Sequence, residues 1–224
     1  MAGSSKIAQP AGRCEANVTK SQRVFLDVRQ KILSGEIGPE TRLTLRPLAS
    51  QYGTGINAVS EAVKALAAEG LVELEGQAGA RVIARDLVRI RGEYILRIAI
   101  ECETARRCAD VADSGQLALL KGMAEKVDRL FSEGEQLVEC READVRFHLA
   151  IADFSGAPQL KETLVPLLER LIALDQTEDA TSEFPNQKHL EVYAGLASHD
   201  PAAAYLAMRQ HLEHSMNLSL ALLY

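Results

Sequence analysis

Residues 53–82 read GTGINAVSEAVKALAAEGLVELEGQAGARV, and the change of period within this stretch decides the fold around it. Gly53, Thr54 and Gly55 supply a tight turn. A helix is then predicted over 57–69, because Val59, Ala62, Val63, Leu66 and Ala67 recur on one face and leave Asn57, Ser60, Glu61 and Lys64 on the other. Gly70 ends it. From Leu71 to Glu75 the period drops to two, and the run Gly76, Gln77, Ala78, Gly79 turns the chain into Ala80, Arg81, Val82 and Ile83. That pattern predicts a two-stranded hairpin.

Upstream, Val24, Phe25, Val28, Ile32 and Leu33 keep helical spacing from Ser21 until Gly35 stops them. Pro39 opens a connection, and a short helix fits residues 46–52 with Thr44 as its cap. Three helices followed by a two-stranded wing is the winged helix-turn-helix order, in which the third helix enters the DNA major groove. Residues 18–85 are therefore expected to form one DNA-binding domain. Residues 1–17 lack apolar periodicity and carry Gly3, Ser4, Ser5, Pro10 and Gly12, so a flexible tail is expected there.

Downstream, helical patterns succeed one another at 86–112, 116–134, 136–154, 158–175, 185–198 and 201–223. Ser155, Gly156, Ala157 and Pro158 break the run once; Asp200 and Pro201 break it again as an N-cap and first helical residue. Residues 86–224 are expected to form an antiparallel all-helical bundle. The fold class is mainly α, in keeping with 4% aromatic residues and no Trp in 224 residues.

Composition narrows the functional classes. Apolar residues are 47% and charged residues 25%, the balance of a globular chain. Residues 1–85 carry 11 Lys and Arg against 8 Asp and Glu, a balance of +3, while residues 86–224 carry 14 against 23, a balance of −9. A basic segment ahead of an acidic remainder is expected when only one part meets a polyanion. With no run of about 20 apolar residues and a polar start, neither a membrane span nor a secretory segment is expected, and the location predicted is cytoplasmic. Cys14, Cys102, Cys108 and Cys140 show no C-x-x-C spacing and read as reduced thiols.

The most chemical set of residues lies in the acidic part. Asp144 and His148 are four apart on one predicted helix and share a face, while His189 and His211 fall on two later helices. If the bundle brings those helices together, one carboxylate and three imidazoles form a set suited to Zn2+, Ni2+, Mn2+ or Fe2+. The plainer reading of Asp144 and His148 alone is a surface pair.

These residues together resemble a known family. The string ILSGEIGPETRL at 32–43, Leu48 and Ala49, the run 61–66 with Glu69 to Val72, and Gly79 to Val82 are similar to GntR-type transcriptional regulators of the FadR subfamily. Residues 97–109, 144–148 and 189–212 resemble its C-terminal ligand-binding domain of the FCD type. The resemblance implies a homodimer that binds pseudo-palindromic operator DNA and senses a small carboxylate. It also implies a metal held by Asp144, His148, His189 and His211, whose open coordination positions take the effector. Arg97 and Arg106 are then candidates to clamp that effector, unless they pair with Glu101 and Glu103 instead.

One departure matters. Where the family usually has a Ser-Arg-Thr-Pro-Val-Arg-Glu-Ala run, this chain reads Gly55, Ile56, Asn57, Ala58, Val59, Ser60, Glu61, Ala62, so both arginines are missing. The candidate DNA contacts are Arg42, Arg46, Asn57, Ser60, Lys64, Gln77 and Arg81, with Asn57 suited to adenine and the cations to phosphate. Two other functions compete with an effector-responsive regulator, more readily a repressor. One is a helical interaction protein with weakened DNA binding. The other is a metal-dependent hydrolase or lyase, disfavoured because no H-E-x-x-H or nucleophile-base arrangement occurs.

Overall fold

The computed structural model describes residues 18–76, 79–84, 86–134, 137–174 and 188–221. The expected tail at 1–17 and the candidate Gln77 lie outside the described residues, as do the outer ends of the helices expected at 158–175, 185–198 and 201–223. The head opens with α1 (Lys20–Leu33), whose N-terminus is closed by a reciprocal capping box between Thr19 and Gln22. There follow β1 (Arg42–Thr44), α2 (Leu45–Gln51), α3 (Ile56–Ala68), β2 (Val72–Leu74) and β3 (Gly79–Val82). Val24, Val28 and Ile32 of α1 bury against Val59, Ala62, Val63 and Leu66 of α3, and Leu43, Leu71, Ala80 and Val82 close the core from the sheet.

The wing has three strands where two were expected. Strand order is β1-β3-β2, antiparallel throughout, with Arg42 opposite Arg81 and Val72 opposite Val82. β1 gives no sequence signal because three residues are too few to show a period, and its only buried side chain is Leu43. Thr44 stands at the N-cap of α2 as predicted, but its hydroxyl makes no capping hydrogen bond. Gly79 is needed where β1 and β3 meet: its φ is +147°, and a Cβ there would lie 1.9 Å from the Leu43 carbonyl oxygen.

The bundle comprises α4 (Leu87–Val111), α5 (Ser114–Glu133), α6 (Leu137–Phe154), α7 (Pro158–Leu174), α8 (His189–Ala197) and α9 (Pro201–Ala221). Asp86 and Asp113 cap α4 and α5 with their carboxylates, and Asp200 accepts from the Ala202 N–H at the start of α9. Small residues of α4 (Cys102, Ala105, Cys108, Ala109) pack with Leu120 and Ala124 of α5, Phe147 and Ile151 of α6, and Met208 and Leu212 of α9. No helix among the described residues is long and apolar enough to cross a membrane.

Head and bundle meet through α7. Ala173, 1% exposed, belongs to the head's core. Arg29 of α1 donates through Nε to Glu69 Oε2 at 2.8 Å and pairs through Nη2 with Glu169 of α7. The next residue, Arg170, forks onto Glu93 of α4 at 2.9 and 3.0 Å, and its stem lies directly over Gly70. At the wing, Glu73 of β2 pairs with Arg89 of α4.

Candidate metal centre

Three helices deliver four ligand atoms to one point. Asp144 and His148 lie one turn apart on α6, His189 is the first residue of α8, and His211 lies midway along α9. One donor atom from each lies within 4.8 Å of all the others. The imidazole centroids are 4.7 Å apart for His189 and His211, 5.2 Å for His148 and His211, and 6.0 Å for His148 and His189. All three rings are buried, and Phe147 presents its edge to both His148 and His189.

Two carboxylates that the sequence reading did not single out hold these imidazoles from behind. Asp128 of α5 sits 2.7 Å from His189 Nδ1, leaving Nε2 to face Asp144 Oδ1 at 2.8 Å. The same carboxylate accepts the backbone N–H groups of His189 and Leu190 at 3.0 Å each. It thus caps α8 from another helix, where Lys188 in left-handed backbone supplies no side-chain cap. Glu101 of α4 faces His148 Nδ1 and receives Arg97 Nε at 2.5 Å. Arg97 in turn lies over the Tyr94 ring, and Tyr94 shares a hydrogen bond with Ser219.

Burial opposes charge on every member of this set, so its charged neighbours decide each proton. Burial would raise the Glu101 carboxyl, but Arg97 and His148 outweigh it and hold it at about 2. Asp144 likewise resists its own desolvation because His148 and His189 face it, and stays well below the usual carboxylate range. His148 is driven up to about 9 against its burial by Glu101 and Asp144. His189 is raised by Asp128 and Asp144 in the same way. For His211 burial has its way, reinforced by the other two histidines, and the ring is held well below its ordinary value.

The arrangement fits a divalent cation on two grounds. His148 Nε2 is fully buried without a hydrogen-bond partner, 3.6 Å from Asp144 Oδ1, which is costly for a polar atom with nothing to bind. The charge count agrees. Three carboxylates (Glu101, Asp128, Asp144) against one guanidinium (Arg97) leave two negative charges when the imidazoles are in their neutral, ligating form. Carboxylates behind ligating histidines are the usual outer shell of such sites.

The other candidates are dispersed. Arg97 borders the centre through Glu101, whereas Arg106 lies nine residues further along α4, on the opposite side of the helix, and holds Glu103 with two contacts of 2.7 Å. Both arginines thus make the carboxylate pairs that stood as the alternative to effector binding. In the head, Asn57 and Lys64 are exposed on α3 with Ser60 half-buried between them, and Arg46 is exposed on α2. Arg42 and Arg81 both donate at 2.8 Å to Glu75, whose carboxyl they hold below its ordinary value.

Known proteins agree with this architecture. Residues 94–214 match the FCD domain family, and residues 20–82 match the bacterial regulatory proteins of the gntR family. The chain is 28% identical over 196 residues to the HTH-type transcriptional repressor RspR of Escherichia coli, with 86% of each chain covered. It is 27% identical over 217 residues to the HTH-type transcriptional repressor NanR of Klebsiella aerogenes, covering 86% of this chain and 82% of that one. Among solved structures, E. coli McbR/YncC superposes with a TM-score of 0.73 over 92% of this chain and 100% of its own, at 20% identity. These relatives are transcriptional regulators and not enzymes, which removes the hydrolase or lyase reading.

Proposed function

The chain belongs to the FCD-domain transcriptional regulators with a gntR-family DNA-binding domain, and we propose that it is a metal-containing, effector-responsive repressor. The observation that carries this reading is the convergence of Asp144, His148, His189 and His211 around the unpartnered His148 Nε2. These four residues would hold a divalent transition metal, with Asp128 and Glu101 fixing which nitrogen of His189 and His148 points inward. A bound cation supplies open positions for a carboxylate, so the effector class is a small organic acid. Of the two arginines expected to clamp it, Arg97 is the one that borders the centre.

DNA contact is assigned to residues 18–85, with Asn57 and Ser60 toward base edges and Arg46 and Lys64 toward phosphates. Arg42 and Arg81 would join them by exchanging Glu75 for phosphate, and Gln77 is a further candidate contact from the sequence alone. Repression is carried over from RspR and NanR, and the FadR subfamily is the branch that the four-ligand pattern suits. Assembly as a homodimer on a pseudo-palindrome is supported by exposed Val88, Ile95 and Leu96 on α4, an apolar face that a second copy would cover.

Coupling between the two regions runs through α7. It packs against α4 and α6, which carry Glu101, Asp144 and His148, and it places Glu169, Arg170 and Ala173 against the head. A shift of α4 or α6 on ligand binding is thereby felt at α1 and at the end of α3. The test is reciprocity: an acid that changes DNA affinity must have its own affinity changed by DNA by the same factor. Equal DNA affinity with and without metal and acid, for every acid tried, would remove the sensing role. Failure to bind any duplex at low salt would instead favour an interaction protein, since phosphate attraction survives there in any working head.

A further inference from the structure

The solvent face of α3 carries little charge. Glu61 and Lys64 are both exposed on it and offset one another, and the two wing arginines are occupied by Glu75. Beside that face, at the first residue of the helix, stands an aliphatic side chain: Ile56 is 45% exposed although it lies on the edge of the stripe that Val59 and Val63, one and two turns on, bury in the head's core. Exposed Asn57 follows it. The N-terminal residues of such a helix are those that reach base edges in the major groove. There an aliphatic side chain can recognise only the thymine C5-methyl, and an asparagine is matched to adenine N6 and N7.

We infer that Ile56 is a sequence-reading residue that packs on a thymine methyl, so that the first turn of α3 selects A·T pairs through Ile56 and Asn57. Burial of the Ile56 side chain against that methyl removes apolar surface left in water by the free protein. This inference rests on the assignment of α3 as the DNA-reading helix. It concerns which bases are read and leaves affinity to the cations.

The full-length protein is used to select duplexes from a random library at low salt, and each thymine of the selected half-site is then replaced by deoxyuridine. That change removes the methyl and keeps the base pairing. One thymine per half-site is expected to show about fourfold weaker binding on replacement, the equivalent of about one buried methylene. In Ile56→Ala, whose melting temperature is expected to match the parent because the residue is exposed, the thymine and uracil duplexes should bind equally. Deoxyuridine without effect at every thymine, an undiminished penalty in Ile56→Ala, or a selected half-site without A·T pairs would each overturn the inference while leaving DNA binding intact. Enrichment of no duplex at all would overturn the DNA-reading assignment itself, and this inference with it.

Discussion

The head and the bundle place their candidate functional residues in opposite ways. In the head they stand on the outside: Arg46, Asn57 and Lys64 are exposed, and Arg42 and Arg81 share a surface carboxylate. In the bundle they are drawn inside, where Glu101, His148 and His189 are fully buried and His211 and Arg97 nearly so. A surface charge costs little and contributes little until a partner arrives. A buried one must be satisfied at once, and the rows of carboxylates behind the histidines do this. Under the proposed function, the head would meet a large external polyanion and the bundle would hold a small internal cation.

The largest effect that would break this contrast is metal removal. Chelation, or the double change Asp144→Ala and His148→Ala in the presence of metal, is expected to lower the melting temperature by several degrees. A ligand at about 100 times its Kd contributes about 2.7 kcal/mol, worth about 5–10 °C in a chain of this length. No shift on chelation of a metal-loaded sample, followed by differential scanning calorimetry, would mean the buried set is self-sufficient.

Loading should also move protons. With no cation bound, Glu101 and Asp144 drive His148 up to about 9, and Asp128 and Asp144 raise His189. His148 therefore holds a proton near neutrality that ligation must displace, and His189 is biased in the same direction. Titrating metal into weakly buffered protein at pH 7 is expected to release about one to two protons per chain, and metal affinity should fall as pH is lowered. Proton-independent loading, read with a pH indicator, would place the metal elsewhere.

Between the two regions, Glu169→Gln weakens the pair with Arg29 while leaving the bundle core untouched. Couplings of this kind are worth about 1–3 kcal/mol in total. The variant is expected to bind metal and DNA separately like the parent, yet to lose a several-fold share of the effect of one on the other in fluorescence anisotropy. Unchanged coupling would move the connection off α7.

Smallest are the surface changes in the head. Lys64→Ala should weaken binding to all sequences alike and reduce the salt slope by about one. Glu75→Gln should tighten binding a few-fold at low salt, because Arg42 and Arg81 lose their internal anion. A variant of Glu75 that binds more weakly would show that this carboxylate positions the arginines and does not compete for them.

Much of this was legible in the sequence because its signals are local. Apolar spacing, Gly35, Gly70, Asp200 and Pro201 each act within a turn or two, and the helices fall where those signals put them. Asp144 and His148 were visible for the same reason. Asp128 and Glu101 were not, since nothing near Asp128 in the chain points to His189, 61 residues away, and Glu101 looked like one more partner for Arg97. Only the packing of α4, α5, α6 and α8 makes them neighbours. β1 is too short to show a period, and the exposure of Ile56 is a property of the folded head that no local sequence signal carries.

Whether Asp144, His148, His189 and His211 hold a cation is decided by counting bound metal. The full-length protein is loaded in turn with Zn2+, Ni2+, Mn2+ and Fe2+, dialysed, and subjected to elemental analysis beside the Asp144→Ala and His148→Ala double variant. About one ion per chain in the parent and none in the variant is the predicted result. No retained ion in the parent under any of the four loadings would contradict it.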